Sequence, residues 1–483
     1  MSVLYLLAAT LFLLDSPAPG KPNIVIFFAD DLGYGDIGVN GAKGFKTPAI
    51  DRLAQEGRQF KSFYVAQAVC SASRAALLTG CYPHRIGIHQ ALNPRDKVGI
   101  SASEITLGEL CKSQGYATGV FGKWHLGWQR PFLPLQHGFD EYVGLPYSND
   151  MWGFSPGFEN FPRGDKRRLR EFPPLPLFEG NEVIKKSVEP EDQKGLTQLY
   201  ADKAISFVVR HRDQPFLLYV PFTMPHVPLY ATKAFEGSSE QGIFGDVVQE
   251  LDANVGRVVQ KIDELGLKEK TLIVFSSDNG PWTSFGNHAG SSGGLREAKG
   301  TCWEGGVRVP CVMRWPGKIP AGTICEEPLM TIDLFPTIAK LIGAELPSHS
   351  IDGMDVWPLL AGVPDAKSPQ EAYYFYFQRG EMQAMRSGKW KLIFPHKYRT
   401  LSGRPGGENG LPAKFDFVEA GLELYDLQTD PGETTDVAKD HPGKVNQLTQ
   451  WADAARARMG DALTQTNGTD VRKPGIFKDK VRE

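Results

Sequence analysis

The sequence predicts an α/β protein: a large mixed, mostly parallel sheet sandwiched by helices, followed by a small C-terminal α+β subdomain containing an antiparallel sheet. Three observations lead there. Apolar runs without alternation, at 24–29, 117–121, 216–220 and 272–276, suit strands buried on both faces. Helical patterns lie between them, at 50–56 after Thr47-Pro48, at 106–114 and at 244–265, and such alternation builds a sheet covered by helices. From about Pro364 the style changes. Short strands at 372–377, 384–386, 389–394 and 423–427, with turns at Arg379-Gly380 and Ser387-Gly388, precede a helix near 444–459.

Taken in order, residues 1–20 form a possible signal peptide, 21–365 the larger domain and 366–483 the subdomain. Met1 to Leu14 are largely apolar, too short to span a bilayer, and suit the apolar region of an export signal, with Ser16-Pro17-Ala18 as a small-residue cleavage site. No Lys or Arg precedes them, which a start codon assigned too far downstream would explain. The expectation is an exported protein without a stable membrane span. Pro146 to Pro190, rich in Pro, Phe and charge, with Asp165-Lys166-Arg167-Arg168 at its centre, reads as a surface excursion at the mouth of a site.

At 483 residues the chain is long enough for one large domain and a smaller one. A net charge of −3, with no basic tract or zinc-ligand Cys spacing, argues against nucleic acid as a partner. Six cysteines are few for a disulfide scaffold, and their pairing is not legible, nor is the oligomeric state.

In such sheets ligands bind beyond the carboxyl ends of the strands. Each apolar run ends there in polar chemistry: Asp30-Asp31, then Gly122-Lys123-Trp124-His125, then Pro225-His226, then Asp278-Asn279. The acids and the amide make an oxygen-rich ligand set that selects a hard cation, Ca²⁺ or alternatively Mg²⁺, over zinc. As isolated motifs, Asp-Asp-Leu-Gly and Asp-Asn-Gly would also serve as turns. Lys123 and His125 face the same way if the segment is extended, one to neutralise an anion and one to act as base. Lys299 lies in a Gly-rich, aromatic stretch that would pin it.

The stretch Cys70-Ser71-Ala72-Ser73-Arg74, running into an apolar helical pattern, carries the most specific signal. It resembles the maturation signature of type I sulfatases, in which the cysteine becomes Cα-formylglycine. The span from Asn23 to about Ile393 resembles the arylsulfatase A-like members of that family, within the alkaline phosphatase superfamily. Asp30, Asp31, Cys70, Arg74, Lys123, His125, His226, Asp278, Asn279 and Lys299 match in order, and Ser148 matches a sulfate-binding loop serine.

The resemblance implies an alkaline phosphatase-like fold and a sulfuric ester hydrolase. Asp30, Asp31, Asp278, Asn279 and residue 70 would hold calcium. The hydrated aldehyde would attack sulfur while Lys123, Ser148, His226 and Lys299 bind the sulfate. His226 or Lys299 would protonate the leaving alcohol, His125 would regenerate the aldehyde, and Arg74 would hold the diol and metal-side charges. A formylglycine-generating enzyme is the implied partner. Ala72 in place of the commoner proline leaves open which maturation system acts, and Cys302 stands where a small hydroxyl residue is expected.

For the substrate, Trp282 with Trp152 and Phe154 would stack a sugar ring and His288 would contact a hydroxyl or sulfate, favouring a sulfated carbohydrate over a small aryl sulfate. The competing readings are a phosphonate or phosphate ester hydrolase of the same superfamily, and a non-catalytic glycan-binding relative.

Overall fold

The computed structural model describes residues 20–152 and 172–478. The expected export signal and the 165–168 charge run therefore lie outside the described residues. No helix among the described residues is long and apolar enough to cross a membrane.

A ten-stranded sheet forms the centre. Its middle strand, Asn23–Ala29, pairs in parallel with Thr271–Ser277 on one side (Ile24 opposite Leu272) and with Phe216–Pro221 on the other (Ile24 opposite Leu217). Ala117–Phe121 and then Glu141–Gly144 continue the parallel run. Beyond Thr271–Ser277, the strand Cys311–Arg314 runs antiparallel and Arg58–Phe60 and Thr323–Cys325 complete that edge. At the other edge a hairpin, Leu177–Glu179 with Glu182–Lys185, joins the sheet. This hairpin corrects the expected surface excursion: its last third returns to pair with the edge.

Every residue of Asn23–Ala29 is buried, and alternate side chains feed two separate cores. Val25 and Phe27 pack into the cluster under helices Pro48–Glu56, Leu196–Arg210 and Ile243–Glu264. Ile24, Ile26 and Phe28 pack into the cluster under Cys70–Thr79, Leu107–Ser113 and Leu334–Ile342. Two covered faces explain why the run shows no polar alternation. Thr106 caps its helix in a reciprocal box with Glu109, fixing the start the pattern suggested.

The C-terminal part holds a four-stranded antiparallel sheet, ordered Tyr373–Phe377, Glu381–Ser387, Trp390–Ile393 and Glu423–Asp426. Beside it lie a two-stranded ribbon, His396–Thr400 with Asp416–Ala420, and the helix Pro442–Met459. Phe375, Met382, Leu392, Leu424 and Met459 belong to the same apolar cluster as Ile24 and Leu77. One core therefore continues from the large sheet into the small one.

Candidate active site

The carboxyl ends of the neighbouring strands Asn23–Ala29 and Thr271–Ser277 lie in register at Ala29 and Ser277, so Asp30-Asp31 and Asp278-Asn279 emerge side by side. The Asp278 amide donates to the Ala29 carbonyl at 3.0 Å, and the Asp31 amide to Asp278 Oδ1 at 3.1 Å. Asp31 has φ 64°, a left-handed conformation that turns the chain just past the strand. These are not ordinary turn residues, because the three carboxylates are buried together.

Cys70 opens the helix Cys70–Thr79, all of whose residues are buried. Its Sγ lies 3.6 Å from Asp30 Oδ1 and 3.6 Å from Lys299 Nζ. Burial pushes the thiol up to about 12, against the pull of Lys123 and Lys299, so the encoded side chain stays protonated and is a poor nucleophile. Arg74 follows one turn later on the same helix face. Its Nε and Nη2 donate to Asp278 Oδ2 at 3.1 and 2.7 Å, and its Nη1 donates to the Lys123 carbonyl at 3.1 Å. The spacing in the pentapeptide thus sets cysteine at the cavity and arginine beneath it, locked to the acids.

Cations match the acids. Lys123 Nζ sits 2.6 Å from Asp30 Oδ2 and 3.3 Å from Ser148 Oγ. Lys299 Nζ reaches both Asp31 oxygens at 2.6 and 2.8 Å and lies over the Trp282 ring at 4.4 Å. His226 Nδ1 bonds the Val227 carbonyl, and its Nε2 stands 3.5 Å from Ser148 Oγ and 3.6 Å from Asp31 Oδ2. Burial alone would raise the Asp30 and Asp31 carboxyls, but Lys123 and His226 at the first, and Lys299 and His226 at the second, hold both below the usual carboxylate range.

His125 is buried, and burial together with Lys123 keeps it neutral, well below the ordinary imidazole range. Its Nε2 donates to the Leu92 carbonyl at 2.9 Å, which leaves Nδ1 as a lone pair with no partner among the described residues. The segment is not extended as expected: His125 has φ 61°. Gly122, at φ 141°, passes so close to Pro221 that a Cβ would stand 1.9 Å from its carbonyl oxygen, so a glycine is required there.

A cavity of about 200 Å³ opens above these groups. Cys70, His125, Ser148, His226, Trp282 and Lys299 line it. Asp30, Asp31, Arg74, Lys123 and Asp278 form its floor through the bonds just described, and Asn279 joins them by donating from Nδ2 to Asp31 Oδ1 at 2.7 Å. His288 is not among the lining residues, and Trp152 is 1% exposed inside the apolar core; neither meets the expectation of a substrate contact. Phe154 lies outside the described residues. Sequence reasoning missed Asp150, Phe377 and Arg399, which also line the cavity. Arg399 comes from the ribbon strand His396–Thr400, where a lone arginine in an alternating pattern gives no signal of a site. Burial lowers its guanidinium to about 10, with only a partial opposing pull from Asp31.

The donor chemistry fits a hard cation. Asn279 Oδ1 is buried without a hydrogen-bond partner among the described residues, next to three carboxylates. Asp30, Asp31, Cys70 and His226 each offer a ligand atom within 4.8 Å of the others. His226 also falls within this group, while Asp278 turns Oδ2 to Arg74 and Oδ1 to the Asp31 amide. All six cysteines are free and buried, Cys302 among them.

Comparison with known proteins adds an independent line. The family model described as sulfatase matches residues 22–344, and the C-terminal region of aryl-sulfatase matches residues 368–475. The C-terminal model of N-sulphoglucosamine sulphohydrolase matches 298–400. Arylsulfatase A of Bos taurus is 40% identical, covering 92% of this chain and 90% of its own. N-acetylgalactosamine-6-sulfatase of Mus musculus is 38% identical over 95% of this chain and 96% of its own. Among solved structures, the PsFucS1 sulfatase from Pseudoalteromonas sp. superposes with a TM-score of 0.83 at 30% identity, covering 94% of this chain and 92% of that one.

Proposed function

The chain belongs to the sulfatase family, among its arylsulfatase A-like members, and on that premise we propose how it hydrolyses sulfuric esters. The nucleophile is formylglycine made from Cys70, the metal is calcium, and the substrate is a sulfated carbohydrate. The observation that carries this reading is the meeting of Cys70 with both an acid, Asp30, and a cation, Lys299, at the wall of the cavity.

Asp30, Asp31, Asp278, Asn279 and residue 70 would hold the metal, and the orphaned Asn279 oxygen supports that set. When bound, the metal and the hydrated aldehyde supply a Lewis acid and a nucleophilic oxygen for sulfuryl transfer. The chain's own groups do the rest. Arg74 offsets the Asp278 charge and fixes its orientation. Lys123, Lys299, His226 and Ser148 donate to the sulfate oxygens, where charge grows in the transition state. His226 or Lys299 delivers a proton to the leaving alcohol oxygen. His125, neutral and with Nδ1 unengaged, accepts the proton of the residue-70 hydroxyl.

Trp282 at the rim supports a sugar ring, and Asp150 Oδ1, buried without a partner among the described residues, supports a hydroxyl donor. The relatives named for N-acetylgalactosamine 6-sulfate and N-sulphoglucosamine point the same way. The apolar Met1–Leu14 stretch supports export, which fractionation of the expressing cell tests.

The deciding experiment is the mass of the Cys70 peptide from active protein: conversion to the aldehyde removes about 18 Da. Cys70→Ala should abolish turnover of 4-nitrophenyl sulfate, by roughly 10⁴-fold or more. An unmodified Cys70 in fully active protein would sink the mechanism, and faster turnover of a matched phosphonate diester would move the substrate class.

A further inference from the structure

The reaction above uses every cation near Cys70 except one. Arg399 lines the same cavity but belongs to the C-terminal ribbon. Its Nε and Nη2 both donate to the Lys299 carbonyl, at 3.2 and 2.5 Å, and its guanidinium lies 4.7 Å from the Phe415 ring centre. Gly300 makes room for it: at φ 79°, a Cβ there would stand 2.1 Å from Arg399 Nη2. The guanidinium is therefore fixed in place rather than swinging in solvent.

Two edges of that fork are spent on one carbonyl, while Nη1 makes no hydrogen bond and Arg399 forms no ion pair among the described residues. Asp150 lines the cavity too, yet no ion pair joins it to Arg399. Arg74 makes the contrast plain, since it is also buried but spends its whole fork on Asp278 and the Lys123 carbonyl. A fixed, partly buried cation with no ion-pair partner, opposed only in part by the charge of Asp31, is costly unless an anion completes it. The three acids of the floor are already matched by Arg74, Lys123 and Lys299, so this charge is surplus to the sulfate being cleaved.

We propose that Arg399 is a specificity residue that binds a second anionic group of the substrate, a sulfate or carboxylate carried beside the ester that is cleaved. The inference rests on the carbohydrate reading and narrows it to polyanionic sugars. It also gives the C-terminal part a direct share in substrate choice, because the cation comes from that part while the reacting groups come from the larger sheet.

The test is binding to the Cys70→Ala protein, which cannot form the aldehyde, with and without Arg399→Gln, measured calorimetrically at one ionic strength. Three probes serve: N-acetylgalactosamine 6-sulfate, its 4,6-disulfate, and glucuronosyl-N-acetylgalactosamine 6-sulfate. One of the two doubly charged probes should bind on the order of tenfold more tightly than the monosulfate, and which one does so identifies the second anion as sulfate or carboxylate. Arg399→Gln should bring that ratio close to one, while Arg399→Lys keeps part of it. Lys also stands in should the Gln protein fail to fold. A ratio untouched by either substitution, or an equal loss for all three probes, overturns the proposal, the latter reducing Arg399 to a brace for Lys299. If no sugar binds while the unmutated enzyme turns over 4-nitrophenyl sulfate, the carbohydrate reading itself falls and takes the inference with it.

Discussion

Two clusters of charge lie buried in this molecule, and they differ in what they leave unspent. One is the strand-end site. The other lies where the small sheet meets the large one. There Lys391 Nζ stands 2.9 Å from Glu304 and 2.8 Å from Glu433, Tyr64 donates to Glu304, the Glu304 amide donates to Glu433, and Arg386 touches Tyr64. Both clusters are buried, and both displace ionisation from ordinary values. The junction's groups engage one another and line no cavity described above. The strand-end site keeps an idle imidazole nitrogen, an orphaned amide oxygen and an opening to solvent. Buried charge alone marks architecture as readily as chemistry, and the unspent valences tell the two apart.

The largest expected separation comes from His125→Ala. Loss of the base should lower kcat on an aryl sulfate by roughly 10²- to 10⁴-fold, with the urea midpoint little changed. A matching loss of stability would blur the contrast. Next, Lys391→Met strands two carboxylates and should cost about 3–5 kcal/mol in urea unfolding, while kcat per folded molecule holds. Arg74→Met should cost a similar amount and also remove turnover, because Arg74 alone serves both the fold and the site.

Metal linkage gives a smaller effect. Calcium at a hundredfold excess over its Kd should raise stability by about 2.7 kcal/mol, and Asn279→Ala should shrink that gain whereas Lys391→Met should not. The smallest effect concerns pH. Burial raises Glu433 to about 7 in the fold, against the pull of Lys391. A carboxyl raised on folding favours the native state while protonated, so this contribution is full below the unfolded Glu value and fades as pH rises through about 7. Glu433→Gln should flatten the stability profile across that window, leaving any slope that originates in the strand-end site.

Much of this was legible in the sequence, for physical reasons. Strands buried on both faces cannot hide, since Asn23–Ala29 and Thr271–Ser277 have no polar side to show. Most of the site's acids and bases could be named because they follow such a strand or lie on the Cys70 helix, whereas Lys299 showed only through its Gly-rich, aromatic surroundings. The sequence reading put His288 and Trp152 at the substrate; the fold buries Trp152 in the apolar core, and His288 does not line the cavity around Cys70. Arg399 stayed hidden for the opposite reason. It lies a hundred residues from Lys299, and only the pairing of His396–Thr400 with Asp416–Ala420 carries it over Gly300.

The shared apolar core has a consequence for how the chain is made. The apolar cluster that takes in Leu77 and Leu78 of the Cys70–Thr79 helix also takes in Met382, Leu424 and Met459, residues that leave the ribosome late. Until they arrive, that cluster is incomplete. In the finished fold Cys70 is 2% exposed. An enzyme that alters residue 70 would therefore meet it most readily before that cluster closes.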